Sequence, residues 1–145
     1  MSGLPRDVYD RVHQYAVDIV NASARDDRRT VAAAFRRLRQ YYLRQEARGL
    51  RHPFLPETVG DFAEDAGTRV QLYRHALDLA RQRRLPQQTI LLALGEVYLD
   101  MSCVGRARRC LVAAKAHARV NSDGDTVGRA RQLLGQIGAS RRTRG

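Results

Sequence analysis

The chain has 145 residues, 43% of them hydrophobic, with only two cysteines, so one domain can bury a core without disulfide or metal staples. Its formal net charge is +11, from 26 Lys and Arg against 15 Asp and Glu. No apolar run is long enough to span a bilayer, and Met1-Ser2-Gly3-Leu4-Pro5 lacks the charged and apolar regions of a signal peptide, so a cytoplasmic protein is expected.

Val8, Val12, Tyr15 and Ile19 recur at helical spacing and mark the inner face of a first amphipathic helix. Val31, Phe35, Leu38 and Tyr42 mark that of a second, with Asp26 or Asp27 available as its N-cap. Residues 49–56 break the pattern, because Pro53 and Pro56 disfavour helical geometry at His52 and Leu55. Phe54 and Leu55 are expected to pin this linker to the core. Five helices follow, over about 56–66, 68–84, 86–102, 105–120 and 125–137, with Pro86 suited to a first turn and Asp125 expected to cap the last. The predicted fold class is all-α, with about seven helices and a disordered basic tail at 139–145.

Gly60, Gly95 and Gly128 stand 35 and 33 positions apart, which is the period of a stacked helix-pair repeat. In the middle copy Leu91, Leu94-Gly95 and Tyr98 fall on one helix, and Ala107, Leu111 and Ala114 on the next. Over 88–121 this pattern resembles the tetratricopeptide repeat, in which a Leu-Gly step and a Tyr pack against a small-large-small row. The resemblance implies a fragment of a helical solenoid, with backbones approaching closely at glycine and alanine. Upstream, Val59-Gly60 and Ala63 repeat the step, and Tyr73, Ala76, Leu77 and Ala80 read as the partner helix after a shorter turn. Downstream, Val127-Gly128 opens a helix with no partner after it, as a terminal capping element would. In the first 49 residues Asp18-Ile19 replaces the Leu-Gly step, so that hairpin is read as divergent. The implied organisation is a single domain, 1–138: a hairpin at 1–49, two repeats at 56–121 and a cap at 125–138.

Charge follows the same register. Residues 1–50 carry 10 bases and 6 acids, 51–100 carry 6 and 7, and 101–145 carry 10 and 2. All but Lys115 of the bases are Arg, a bias typical of GC-rich genomes, so a bacterial source is the natural expectation. In the tetratricopeptide family the first helix of each pair lines a concave groove. Carried onto this chain, the resemblance places Glu57, Asp61, Glu64 and Asp65 in the groove from one copy. The next copy contributes Thr89, Leu92, Ala93, Glu96, Leu99 and Asp100. Six carboxylates and no base would line it. The second helices carry Arg36, Arg37, Arg39 and Arg44, then Arg81, Arg83 and Arg84, then Arg106, Arg108, Arg109, Lys115 and Arg119. Helix dipoles account for part of this placement.

Catalytic chemistry has little support. His13, His52, His75 and His117 are isolated from one another and from metal-ligand spacing, and no phosphate loop or nucleophile elbow occurs. Asn121-Ser122-Asp123-Gly124-Asp125 resembles the start of a calcium loop but lacks the later ligands. Cys103 and Cys110 read as packing residues rather than a disulfide. No cofactor is implied. The expected function is non-enzymatic binding of a partner protein with a basic segment or surface, through the acidic groove. A toxin-immunity protein, a secretion chaperone and a regulator all fit that description. The alternative is nucleic-acid binding by the Arg-rich convex helices and tail, although no aromatic residue interleaves with the basic C-terminal third to stack on bases.

Overall fold

The computed structural model of the chain describes residues 3–143, with side chains through Ser140. Seven helices make up its regular structure, and no strand occurs among the described residues. They are α1 (Arg6–Ala24), α2 (Arg28–Ala47), α3 (Phe54–Phe62), α4 (Ala66–Arg83), α5 (Gln88–Asp100), α6 (Val104–Val120) and α7 (Gly124–Thr143). Each helix packs against the next in sequence, and α1 also meets α3 as α5 meets α7.

Three of the connections, α1–α2, α5–α6 and α6–α7, are the same three-residue turn. The middle residue, Asp26, Ser102 or Ser122, takes a left-handed backbone with φ of 57°, 60° and 56°. The amide of the third residue then reaches back to the preceding helix: Asp27 to Ala22 at 2.9 Å, Cys103 to Tyr98 and Asp123 to Ala118 at 2.8 Å. That bond satisfies a carbonyl that the helix end leaves open. The third residue also serves as N-cap of the following helix. Three caps share an Asp-x-x-Thr pattern. Asp27, Asp65 and Asp123 accept the amides of Thr30, Thr68 and Thr126 at 3.1, 2.8 and 3.1 Å, and the threonine hydroxyls bond the same carboxylates. These hydrogen bonds hold all three carboxyls below the usual range.

Several sequence expectations are corrected. α7 is capped by Asp123, not Asp125, because Thr126 stands three residues after Asp123 and completes the pattern. Leu55 is helical and 1% exposed, since α3 begins at Phe54 and Pro56 lies in its first turn, where no amide donor is required. α3 consequently ends at Phe62 and α4 begins at Ala66, both earlier than expected, and Pro86 precedes α5. α7 continues to Thr143 through part of the segment read as a disordered tail, of which Arg144 and Gly145 lie outside the described residues.

The core has three parts. α1, α2 and α3 enclose Val8, Val12, Ile19, Leu38, Tyr42, Leu55 and Val59. α4, α5 and α6 enclose Tyr73, Leu77, Ile90, Leu91, Leu94 and Tyr98 around alanines 76, 80, 107 and 114. Leu111, Leu133 and Ile137 join α6 to α7. A carbon added at Gly95 would lie 2.6 Å from Leu111 Cδ2, and one at Gly60 would lie 2.8 Å from the Tyr73 ring. Close approach is therefore real at these two glycines. It is absent at Gly128, where an added carbon would meet nothing within 4 Å.

Candidate partner-binding face

The residue after each periodic glycine, Asp61, Glu96 and Arg129, falls on α3, α5 and α7 respectively. The Arg129 Nε donates to Glu96 Oε1 at 3.2 Å, joining α7 to α5 across 33 residues. Asp61 Oδ1 accepts the Tyr73 hydroxyl at 2.6 Å. Arg69 of α4 donates its Nε to the Gly60 carbonyl at 3.2 Å and lies 5.8 Å from the Tyr73 ring centre. Loss of surrounding water raises the Asp61 carboxyl, with the Glu96 charge acting the same way, while the Tyr73 hydroxyl and Arg69 oppose the shift.

One helical turn before Asp61, Glu57 is half-buried and its Oε2 accepts the Thr89 hydroxyl at 2.8 Å, tying α3 to the first turn of α5. Burial pushes the Glu57 carboxyl up to about 7, against the pull of the Thr89 hydrogen bond, and the nearby Asp61 charge adds to the rise. Glu57, Asp61 and Glu96 thus form one electrostatic group, to which Thr89 belongs by its hydrogen bond.

The remaining expected groove residues are placed differently. Leu92 and Leu99 are half-buried and pack against Leu111, Leu133 and Ile137, so they cover the α6–α7 core. Ala93 is half-buried against the central core. Asp65 caps α4, with both hydrogen bonds directed at Thr68. Glu64 lies beyond the end of α3 and borders two clefts, of about 630 and 500 Å³, that open against α2 and share Phe35 as a wall. Asp100, the last residue of α5, is exposed. Of the six expected carboxylates, Glu57, Asp61 and Glu96 form this group, Asp65 caps α4, and Arg129 stands beside Glu96.

Several of the second-helix bases have intramolecular partners. Arg83 donates to the Arg51 carbonyl at 2.6 Å, Arg81 to Gln87 at 3.4 Å, and the Arg106 guanidinium lies 5.9 Å from the Tyr98 ring centre. Arg84 is the left-handed C-cap of α4. Arg109 and Arg119 are exposed on α6, while Lys115 is half-buried there. Arg108 borders a cleft of about 450 Å³ between α6 and α7. Cys103 and Cys110 are free thiols, and burial raises the Cys110 thiol. Among the described residues no cluster of His, Cys, Asp and Glu has metal-binding geometry, and no helix is long and apolar enough to cross a membrane.

No protein-family model, characterised protein or solved structure matches the chain. The site therefore stands on its own geometry. Sequence reasoning missed Arg129, although its position one residue after Gly128 is the register that marks Asp61 and Glu96. It also missed the Tyr42–Glu46–His75 cluster, in which His75 of α4 pairs with Glu46 of α2. No periodic signal joins residues 29 positions apart.

Proposed function

We propose that the chain is a non-enzymatic protein-interaction module of tetratricopeptide-like helix pairs, which takes a basic segment of a partner protein on the face formed by Glu57, Asp61 and Glu96. The observation that carries this reading is the Glu96–Arg129 pair: the face already accepts one guanidinium from its own chain. Carboxylates placed together on α3 and α5 repel one another, and an approaching cation relieves that repulsion and accelerates encounter. An immunity protein that covers a basic, nucleic-acid-degrading toxin and a secretion chaperone are the cellular roles such a face suits. Nucleic acid along the Arg-rich helices is the weaker reading, because no aromatic residue interleaves with the basic C-terminal third to stack on bases.

The experiment compares an Arg-rich nonapeptide with a 20-nucleotide single strand as ligands of the wild type and of an Asp61→Lys/Glu96→Lys double variant. Exposed ion pairs contribute about 0.2 to 1 kcal/mol each, so the double reversal should weaken the peptide about tenfold. Undiminished peptide affinity, with tight oligonucleotide binding that falls steeply with salt, would reverse the ranking of the two readings.

A further inference from the structure

Beside Glu57 the surface opens into a cleft of about 420 Å³, where the start of α3 meets the turn between α4 and α5. Pro53, Phe54, Leu85, Pro86 and Ile90 form its apolar walls, and His52 also borders it, with Nδ1 accepting the Phe54 amide at 3.1 Å. Two of the wall residues are prolines, whose fixed φ makes the cleft rigid before anything enters it, so an occupant meets little ordering cost. Glu57 is the one carboxylate on this border. Its Oε2 is engaged by Thr89, and among the described residues no basic side chain lies within ion-pair distance of it. A half-buried carboxylate without a counter-ion, set against an apolar wall, is an arrangement that a cation with a hydrocarbon stem completes.

Lysine and arginine both have such stems, and the Thr89 bond separates them. A guanidinium reaches its full strength by a parallel fork onto both carboxylate oxygens, and here it must share Oε2 with the Thr89 hydroxyl. An ammonium is a point charge and needs only the other. We propose that this cleft is a lysine-binding subsite: it takes one lysine side chain of a partner protein, with the stem against Leu85 and Pro86 and the ammonium at Glu57 Oε1. The inference rests on the reading of the acidic face as a partner-binding surface and deepens it by naming the side chain recognised.

The probes are the pentapeptide acetyl-Ala-Leu-Lys-Leu-Ala-amide and its counterparts with Arg or Gln at the centre. They are titrated by NMR into the wild type, Glu57→Gln and Asp61→Asn. Gln retains an acceptor for Thr89, so the first variant keeps the local fold, which the amide spectrum verifies. Saturation with the lysine peptide should move the amides of Thr89 and Ile90 and lower the Glu57 carboxyl midpoint by about one pH unit, because a nearby cation favours the charged form. Glu57→Gln should weaken the lysine peptide about fivefold and leave the glutamine peptide unchanged. The arginine peptide should bind more weakly than the lysine peptide. Equal affinity of the lysine peptide for wild type and Glu57→Gln, an unmoved Glu57 midpoint, or tighter binding of the arginine peptide would each overturn the subsite. If Glu57→Gln is inert while Asp61→Asn weakens the lysine and arginine peptides, the subsite fails and the acidic face stands. If both variants are inert, the face fails with it.

Discussion

Three residues before the periodic glycine, α3 carries Glu57 where α5 carries Leu92, and four residues after it Glu64 corresponds to Leu99. The two leucines pack with Leu111, Leu133 and Ile137 because α7, 20 residues long, lies against α5. Glu64 has no helical counterpart to Leu99, since α3 is only nine residues and stops at Phe62. Glu57 meets α5 through a hydrogen bond to Thr89 instead of through apolar packing. One register therefore serves two purposes: where the neighbouring helix covers it, the position becomes core, and where cover is incomplete, it retains a charge beside a cleft. The face proposed to bind a partner takes Glu57 and Asp61 from the less covered helix α3 and Glu96 from α5.

The strongest way to break this comparison is at Gly95, which packs α5 against α6. Gly95→Leu must displace Leu111, which is fully buried, because the first added carbon alone lies 2.6 Å from its Cδ2. Overpacking of this kind costs about 1 to 3 kcal/mol, and the site offers no free space, so the upper end is expected. Thermal unfolding should show a midpoint about 10 °C lower. An unchanged midpoint would remove the close-approach account of the central pair.

The second contrast is electrostatic and belongs to Glu57. Its folded carboxyl is raised to about 7 from an ordinary value of 4.5. Folding is therefore most favoured when the group is protonated, and stability falls as pH rises from the unfolded value through the folded one, levelling off above about 7. Glu57→Gln removes the penalty. It should leave stability nearly unchanged at pH 4.5 and raise it by about 2 kcal/mol at pH 8, measured by urea unfolding at both pH values. A gain equal at the two pH values would mean that the effect comes from packing rather than from the buried charge.

Helical periodicity made most of the fold legible, because the apolar faces of α1, α2, α4, α5 and α6 each recur every three to four residues. Boundaries were less legible where a proline can either end or begin a helix: Pro56 looked like a break at Leu55 but sits in the first turn of α3. The α7 cap was misplaced because Asp123 and Asp125 both precede the helix, and only the threonine three residues on separates them. For the candidate face, register identified Glu57, Asp61 and Glu96. Leu92 and Leu99 pack against the α6–α7 core instead, because exposure at a given register position depends on what the neighbouring helix covers. Arg129 carries the same register signal, one residue after Gly128.

The smallest contrast tests the third periodic glycine. Gly128 shares the spacing of Gly60 and Gly95, yet a carbon added there meets nothing within 4 Å, and the residue lies inside α7 with an ordinary helical backbone. Without a neighbour to approach, the glycine brings only its conformational freedom, which disfavours a helix interior by about 0.8 to 1 kcal/mol relative to alanine. Gly128→Ala should therefore raise the thermal midpoint by about 2 to 4 °C, opposite in sign to any substitution at Gly95. Gly60→Ala should fall on the Gly95 side, since its added carbon meets the Tyr73 ring that holds Asp61. If Gly128→Ala instead destabilises the protein, and does so more at high concentration than at low, the third glycine also serves close approach, with the approaching backbone supplied by a second copy of the chain.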